Sequence, residues 1–168
     1  NKSLLKYSRQ IILKDVGIIG QKKIINSKVL IVGAGGLGSP VIDLLARAGV
    51  GQIGVIEFDK ISISNIHRQT LYTSKDINKN KSQILKRQLK LINKKIKLNV
   101  YNEKASDKNL NKILPKFDII VDGSDNFHTK FLLNKYSLKY KKKLVVGAIS
   151  KFDGHIFSFD FKNFESIA

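Results

Sequence analysis

The stretch KVLIVGAGGLGSP, residues 28–40, decides the fold. Its first five residues, Lys28–Val32, form an apolar run that ends at a glycine, a pattern typical of a buried parallel strand. Residues Leu37–Ala48 carry apolar side chains on every side and are followed by Gly49, so we predict a helix that stops at this glycine. A strand, a glycine-rich turn and a helix in this order predict the first unit of a parallel α/β sheet.

Strand and helix patterns alternate through the rest of the chain. Apolar runs predict further strands at residues 53–58, 98–101, 117–121, 144–146 and 154–161, the last with one wetter face. Helices are predicted at residues 82–93, 106–114 and 126–142, and ahead of the first strand at 4–13 and 20–25. Because such alternation produces parallel sheets covered on both faces, we predict an α/β, Rossmann-like, mostly parallel sheet with helices on both faces, preceded by N-terminal helices.

The composition fits a single domain of 168 residues and excludes several kinds of chemistry. The absence of cysteine rules out a disulfide framework, a thiolate zinc site, an iron–sulfur cluster and a cysteine nucleophile. No apolar run is long enough to span a membrane, and Lys6, Arg9 and Gln10 interrupt the first segment, unlike a secretory signal. We therefore expect a cytoplasmic protein that does not associate with membranes.

The strong positive charge is interpreted as a solvated surface. Lysine and arginine number 31 against 13 acidic residues, which gives a net charge of +18, and 27 of the 31 are lysine. A nucleic-acid-binding protein would carry such an excess, but the lysines are spread along the chain and do not interleave with aromatic residues. The chain is also rich in isoleucine and asparagine, which A/T-rich codons encode, so we favour codon bias over nucleic-acid binding.

The glycine-rich turn has the spacing of a phosphate-binding loop. Gly33, Gly35, Gly36 and Gly38 satisfy G-x-G-x-x-G between a strand and a helix, where backbone N–H groups and the helix N-terminus attract phosphate. Glu57 follows the last glycine by about 20 residues, at the end of the next strand, where an acid accepts hydrogen bonds from a ribose. Nucleotide binding is predicted, but the motif alone does not distinguish a nicotinamide dinucleotide from ATP.

Charged and polar side chains follow the carboxyl ends of the predicted strands, where open α/β sheets bind ligands. They are Asp59, Asn65, Arg68, Lys81, Asp125 and Asn126. Some also have an ordinary explanation, since Asp125 or Asn126 is a good helix N-cap and Lys81 is one of many lysines. A triphosphate nonetheless needs such a set, because cations offset the phosphate charge and a carboxylate holds Mg²⁺. The set therefore favours ATP chemistry over hydride transfer.

Several segments of the chain resemble the ThiF/MoeB/HesA proteins, the bacterial relatives of the ubiquitin-activating enzymes. The matching segments, in order, are KYSRQIIL, KVLIVGAGGLGSP, SNIHRQTLY, the lysine at 81 and DGSDN. The resemblance runs from about Leu4 to Phe159, nearly the whole chain. It implies ATP-dependent adenylation of the C-terminal Gly-Gly carboxylate of a ubiquitin-like sulfur carrier protein, with release of pyrophosphate.

The resemblance also implies a role for each matching residue. The four glycines would bind the nucleotide, and Glu57 stands where the family usually has an aspartate that contacts the ribose. Asp125 matches the Mg²⁺-linked aspartate, and Arg9 matches an arginine that reaches into the neighbouring active site of a homodimer. The groups around the phosphates would be Asn65, Arg68 and Lys81, and the nucleotide-binding set also includes Asp59 and Asn126. The expected catalytic set is Arg9, Arg68, Lys81 and Asp125.

Two departures from the family shape the remaining expectations. Family members usually continue for many more residues and carry two C-x-x-C pairs that bind zinc, whereas this chain has 168 residues and no cysteine. We therefore expect residues 1–168 to form one adenylation domain, truncated at its C-terminus relative to the family and without a zinc site. Open alternatives are an NAD-dependent oxidoreductase and a non-catalytic nucleotide-binding partner. The sequence favours neither thiamine nor molybdenum-cofactor biosynthesis.

Overall fold

A computed structural model describes residues 2–163, with side chains from Leu4 onward, and its centre is a six-stranded sheet in the order β3-β2-β1-β4-β5-β6. The strands are β1 (Lys28–Val32), β2 (Gln52–Ile56), β3 (Lys97–Tyr101), β4 (Ile119–Asp122), β5 (Lys143–Ser150) and β6 (Asp153–Asp160). Neighbouring strands pair in parallel except β5 and β6, which form an antiparallel hairpin. The predicted α/β, mostly parallel sheet is confirmed.

Within residues 2–163, three helices precede β1, and the four that follow connect the parallel strands, as the alternating pattern predicts. They are α1 (Lys2–Leu5), α2 (Ser8–Ile11), α3 (Gly17–Asn26), α4 (Gly38–Ala48), α5 (Lys81–Ile92), α6 (Asp107–Ile113) and α7 (Phe127–Lys139). Short 3₁₀ turns lie at Ile63–Asn65, Ser74–Asp76 and Leu114–Lys116. The helices predicted at residues 82–93, 106–114 and 126–142 thus correspond to α5, α6 and α7, with small differences at their ends.

The central strand β1 is buried on both faces, which explains its unbroken apolar run. Val29 and Ile31 point into one hydrophobic cluster with residues of α4 and α5. Leu30 and Val32 point into a second cluster with residues of α6 and α7. Because side chains alternate along a strand, one short run supplies both layers of the core. The prediction of helices on both faces of the sheet is confirmed.

The N-terminal segment differs from the single helix predicted at residues 4–13. Two short helices, α1 and α2, replace it, and Tyr7 between them has a non-helical backbone with φ −107° and ψ 12°. The ring of Tyr7 is buried against Gly49, where any side chain would overlap it. Its hydroxyl also accepts a hydrogen bond from Asn93 at 3.3 Å. The chain bends here because one aromatic ring turns inward to the end of α4.

The β5–β6 hairpin is more extensive and more exposed than its sequence predicts. Strand β5 covers eight residues, and β6 pairs with it along its whole length. The prediction of one wetter face on β6 is wrong, since nearly all of its residues are exposed and Phe157 and Ile156 are 51% and 82% exposed. The strand lies at the edge of the sheet, so pairing with β5 alone suffices to form it.

The strand order places one crevice at the carboxyl end of the sheet. Strand β1 lies between β2 and β4, so the connections after β1 and β4 leave the sheet toward opposite faces. This reversal of strand order is the point at which open α/β sheets bind ligands. The segment between β1 and α4, residues 33–37, lies at this point and contains the predicted glycine loop.

Candidate functional site

The four glycines of the loop divide into two that pack and two that face open space. A side chain at Gly38 would overlap the carbonyl oxygen of Gly33. Gly33 itself has a positive φ of 88°, and a Cβ there would lie 2.9 Å from the carbonyl oxygen of Gly123. These two positions therefore require glycine for close packing and backbone conformation. Added Cβ atoms on Gly35 and Gly36 would meet only side-chain atoms, at 3.5 Å or more. Their backbone is the part of the loop that a phosphate can approach.

The carboxylate of Glu57 holds the glycine loop in place by hydrogen bonds. It is 4% exposed, and its side chain accepts backbone N–H groups from Ala34, Phe58 and Asp59, each at 2.8 Å. Strand β2 ends at Ile56, one residue before this acid, so the predicted strand 53–58 is two residues too long. The chain turns here because the carboxylate takes the N–H groups of Phe58 and Asp59.

Lys81 lies at the same edge of the sheet, as predicted. It is the first residue of α5, and its side chain is 5% exposed. Its ammonium nitrogen lies 3.2 Å from Oδ2 of Asp59 and 3.8 Å from Oε2 of Glu57. The side chain of Asp59 is 50% exposed, whereas that of Glu57 is 4% exposed. One lysine and two carboxylates therefore meet beside the glycine loop, and only Asp59 opens widely to solvent.

Arg68 lies over the glycine loop from the other side. Its Cδ and Nε are 3.5 Å from the position of a Cβ on Gly36, and its Nη1 donates to the carbonyl of Ser64 at 2.5 Å. Asn65 has a local contact instead, since its Oδ1 accepts the backbone N–H of Ser62 at 3.1 Å and closes a capping box. The structure thus brings Arg68 to the loop, and gives Asn65 a turn-forming contact within the same segment.

Two further residues of this segment lie at the loop, and neither is among the predicted site residues. Tyr72 is 3% exposed, and its hydroxyl donates to the carbonyl of Ala34 at 3.1 Å. Burial raises the pKa of Tyr72 far above its ordinary value, and the nearby charges of Glu57 and Asp59 raise it further, so the hydroxyl stays protonated. Gln69 is 3% exposed and lies beside Gly35. The only sequence signal for either residue is its nearness to the predicted arginine.

The loop after β4 packs against the glycine loop and is tied by a lysine. Asp122 is buried, and its carboxylate accepts the backbone N–H of Ser124 at 2.9 Å and its hydroxyl at 2.6 Å. Lys130 on α7 donates to Asp122 at 3.2 Å, to the Ser124 carbonyl at 3.0 Å and to the Gly147 carbonyl at 2.9 Å. Lys130 is not among the predicted site residues, although it joins β4, α7 and β5.

The two predicted residues of this loop have different surroundings. Asn126 is the N-cap of α7, and its Oδ1 accepts the backbone N–H of Thr129 at 2.9 Å. The capping alternative considered for this pair is therefore correct for Asn126. Asp125 is exposed, and it follows Gly123, whose backbone touches Gly33 and Gly38. The Asp125 carboxylate accepts one long hydrogen bond, from the side-chain amide of Asn126 at 3.5 Å, and has further acceptor capacity for a ligand held by the glycine loop.

Arg9 is not brought to the glycine loop of its own chain. It is exposed on α2, whose neighbouring Gln10 donates to the carbonyl of Ala48 at 3.2 Å. Ala48 ends α4, whereas the glycine loop precedes the first turn of this helix. Because a helix rises 1.5 Å per residue, the two ends of α4 lie about 15 Å apart. The structure thus separates Arg9 from the cluster that contains Arg68 and Lys81.

Within residues 2–163, no three His, Cys, Asp or Glu side chains are grouped as metal ligands. A single exposed carboxylate, such as that of Asp125, is the way in which proteins commonly hold Mg²⁺ together with substrate phosphates. The available oxygen donors therefore suit Mg²⁺ held jointly with a nucleotide. None of the helices of the described region is long and apolar enough to cross a membrane.

The family of the chain follows from its sequence, which the model of the ThiF family matches over residues 7–167. The chain belongs to the ThiF family. One curated relative of this ThiF-family chain is a sulfur carrier protein adenylyltransferase of Thermus thermophilus, which is 41% identical over 155 residues. The alignment covers 92% of the chain and 57% of that relative, so the chain spans about half the length of the curated relatives it matches.

Two solved structures share the fold of this ThiF-family chain. PaaA superimposes with a TM-score of 0.86 over 97% of the chain and 53% of PaaA, at 22% identity, which shows likeness of fold alone. A crystal structure of E. coli MccB with ATP superimposes with a TM-score of 0.73 at 33% identity. That alignment covers 78% of the chain and 40% of MccB.

Proposed function

We propose that the chain is the adenylation domain, residues 1–168, of an ATP-dependent adenylyltransferase that activates the C-terminal Gly-Gly carboxylate of a ubiquitin-like sulfur carrier protein. The observation that carries the proposal is the meeting of Arg68 and Lys81 at one glycine loop. A triphosphate brings several negative charges to such a loop, and these cations offset them. Membership of the ThiF family and the ATP in the related MccB structure support the same nucleotide.

The proposed reaction needs no nucleophile from the protein. A carboxylate oxygen of the carrier attacks the α-phosphorus of ATP, and a new phosphorus–oxygen bond forms. The bond from the α-phosphorus to the bridging oxygen of the β-phosphate breaks, and its electron pair leaves with pyrophosphate. The products are a carrier acyl-adenylate and pyrophosphate. Positioning and charge neutralisation provide most of the catalysis in such a transfer, which Arg68, Lys81 and the loop N–H groups supply.

Glu57 is proposed to contact the ribose as well as the loop. A carboxylate has about four acceptor sites, and backbone N–H groups occupy three of those on Glu57. The remaining acceptor capacity suffices for one ribose hydroxyl. Asp59, Asn65 and Asn126 complete the proposed set of nucleotide-binding residues.

Asp125 is proposed to hold Mg²⁺ through the phosphates of ATP. Its side chain is exposed at the end of the sheet, while Asn126 serves as the helix cap. Bound Mg²⁺ would supply positive charge to the triphosphate. Asp125 itself provides one carboxylate, and Ser124 and Lys130 keep its loop in place.

Arg9 is proposed to act in the active site of a partner subunit of a homodimer. Its helix lies at the far end of α4 from the glycine loop, so its own site is out of reach. The carrier is a ThiS-like or MoaD-like protein of thiamine or molybdenum-cofactor biosynthesis, and the proposed setting is the cytoplasm. The name of the Thermus thermophilus relative specifies a sulfur carrier without specifying either pathway.

The proposal is tested by ATP–pyrophosphate exchange with the complete gene product that contains this chain, in the presence of a carrier ending in Gly-Gly. We expect exchange that requires the carrier and falls at least about 100-fold in Arg68→Ala and in Lys81→Gln, the scale of losing one preorganised charge. Lys86→Gln is the matched control, because Lys86 is an exposed lysine on the same helix, α5.

Nucleotide binding by the purified chain separates the proposal from its alternatives. The adenylation proposal expects ATP to bind and NAD to bind at least tenfold more weakly. Tighter binding of NAD than of ATP would favour an oxidoreductase. Normal ATP binding without carrier-dependent exchange in the complete gene product would favour a non-catalytic partner. Equal losses of exchange in the Lys81 and Lys86 variants would contradict the assigned role of Lys81.

A further inference from the structure

A polar depression lies on the sheet away from the glycine loop. Its volume is about 390 Å³, and its lining residues are Lys28, Gln52, Lys97, Asn99, Tyr101 and Lys116. Half of these residues are lysines and none is acidic. Lys28, Gln52 and Lys97 are the first residues of β1, β2 and β3, whereas the glycine loop follows the carboxyl end of β1. The depression is therefore separate from the proposed nucleotide site.

Strand pairing places two of the lysines in one row with Gln52. Lys28 is in register with Gln52, and Gln52 is in register with Lys97. Residues in parallel register point to the same face, and neighbouring strands lie about 4.8 Å apart, so the outer two Cα atoms are about 10 Å apart. Lys116 comes from the 3₁₀ turn that precedes β4, on the other side of β1. The three lysines are thus spread across the depression, with Lys97 on one side, Lys116 on the other and Lys28 between them.

Neutral hydrogen-bond donors complete the lining. Gln52 donates one hydrogen bond to Asn99 at 3.3 Å, which leaves other amide N–H groups of this pair for a ligand. Burial raises the pKa of Tyr101, and the charge of Glu103 raises it further, so the phenol remains a donor at neutral pH. Ammonium, amide and phenol donors together suit phosphate oxygens.

Protection of a sheet edge explains one of the three lysines but not all of them. Lysine on an exposed edge strand prevents pairing with other chains, and this accounts for Lys97 on β3. Lys28 begins β1, a central strand, and its backbone N–H donates to Asp118 at 3.2 Å, a carboxylate outside the lining. Like charges gathered on one concave surface repel each other until an anion offsets them.

We propose that this depression binds a small molecule that bears two or more linked phosphate groups. A volume of about 390 Å³ corresponds to about 13 water molecules at about 30 Å³ each, more than a single phosphate fills. Strand β1 has five residues, so its two ends are about 13 Å apart at about 3.3 Å per residue. A nucleotide at the glycine loop and an anion here therefore bind at separate sites, and the inference does not depend on the proposed enzymatic function.

The test is a titration of the purified chain with inorganic pyrophosphate, followed by NMR of the side-chain amides of Gln52 and Asn99. The titration is run at physiological salt and repeated in the Lys81→Gln variant, which weakens the proposed nucleotide site. We expect saturable shifts of both amide groups, and at least tenfold weaker binding in the triple variant Lys28→Gln, Lys97→Gln and Lys116→Gln. Thermal melting of this variant should match that of the wild type.

The matched control removes the same charge elsewhere. It is the triple variant Lys22→Gln, Lys86→Gln and Lys108→Gln, whose lysines are exposed on α3, α5 and α6. We expect its pyrophosphate affinity to change less than twofold. Equal losses in the two triple variants, loss of the amide shifts in Lys81→Gln, or no shift of the amides in the wild type would each overturn the proposal. Tighter binding of a ten-nucleotide oligothymidylate, lost equally in both variants, would show general polyanion binding and would also overturn it.

Discussion

Tyr72→Phe removes one hydroxyl that holds the glycine loop and changes little else. The hydroxyl of Tyr72 donates to the carbonyl of Ala34 at 3.1 Å, and both residues are buried, at 3% and 0% exposure. The N–H of Ala34 donates to Glu57 at 2.8 Å, so this one peptide segment is held from both sides. Phenylalanine keeps the ring and its packing but leaves the Ala34 carbonyl without this donor.

The size of the effect follows from a single buried hydrogen bond. Such a bond contributes a net free energy of about 1 kcal/mol to folding. If the bond also sets the position of the backbone N–H groups that bind phosphate, ATP affinity falls by about the same free energy. Since a tenfold change in affinity is about 1.4 kcal/mol, we expect the Kd for ATP to rise about fivefold.

Tyr136→Phe is the control, because Tyr136 is similarly buried and its hydroxyl has no contact with the glycine loop. Tyr136 is 6% exposed, and its hydroxyl donates one hydrogen bond at 2.9 Å to Asp107, the first residue of α6. Urea unfolding should show a loss of stability in both variants, because each loses one hydrogen bond. Calorimetric titration with ATP should show weaker binding only in the Tyr72 variant. Unchanged ATP affinity in Tyr72→Phe, or equal weakening in both variants, would refute the reasoning.

Two further predictions concern packing and pH. Gly38→Ala should lower the free energy of unfolding by about 1–3 kcal/mol and abolish ATP binding, because its methyl group overlaps the loop backbone. Gly154→Ala, with open space around it, should change urea unfolding little. Burial favours a higher pKa for Asp76, but hydrogen bonds from Thr73 and Arg87 outweigh burial and hold the pKa below its ordinary value. Asp76→Asn should therefore lower the urea midpoint at pH 7, and its deficit should shrink as the pH falls through the lowered pKa.

The fold was predictable from sequence because each strand, turn and helix is indicated by the residues that form it. An apolar run, a glycine turn and a helix follow one another at the start of the sheet, and each element is identified by its own residues. The break at Tyr7 was not predictable in this way. It depends on a contact with Gly49, which lies far along the chain and is recognised only when α4 is in place.

The individual residues of the site were also predictable, but their pairing was not. Glu57 and Lys81 were selected because each follows a strand or begins a helix, and strand order then determines which of these ends meet. The ion pair between Lys81 and Asp59 depends on how the segment between them folds back. Nothing in the spacing of these residues indicates that the lysine is buried.

Tyr72 and Lys130 were not predicted as site residues, for a related reason. Each acts on the backbone of the site rather than on a ligand, through Ala34 in one case and Ser124 in the other. A side chain that binds a carbonyl leaves no motif, since every residue offers the same acceptor. Arg68 was selected because arginine is scarce in this chain, whereas Lys130 is one of 27 lysines.

The arrangement around Lys81 indicates how the proposed site would accept a triphosphate. The Lys81 ammonium lies 3.2 Å from Asp59 and 3.8 Å from Glu57, so its charge is offset before a nucleotide binds. A buried ammonium group without a partner would be costly, and the carboxylates avoid that cost. Glu57 is fixed by three backbone N–H groups, but Asp59 is half exposed and can turn into solvent. A phosphate would then replace Asp59 at the ammonium, which couples nucleotide binding to the movement of one side chain.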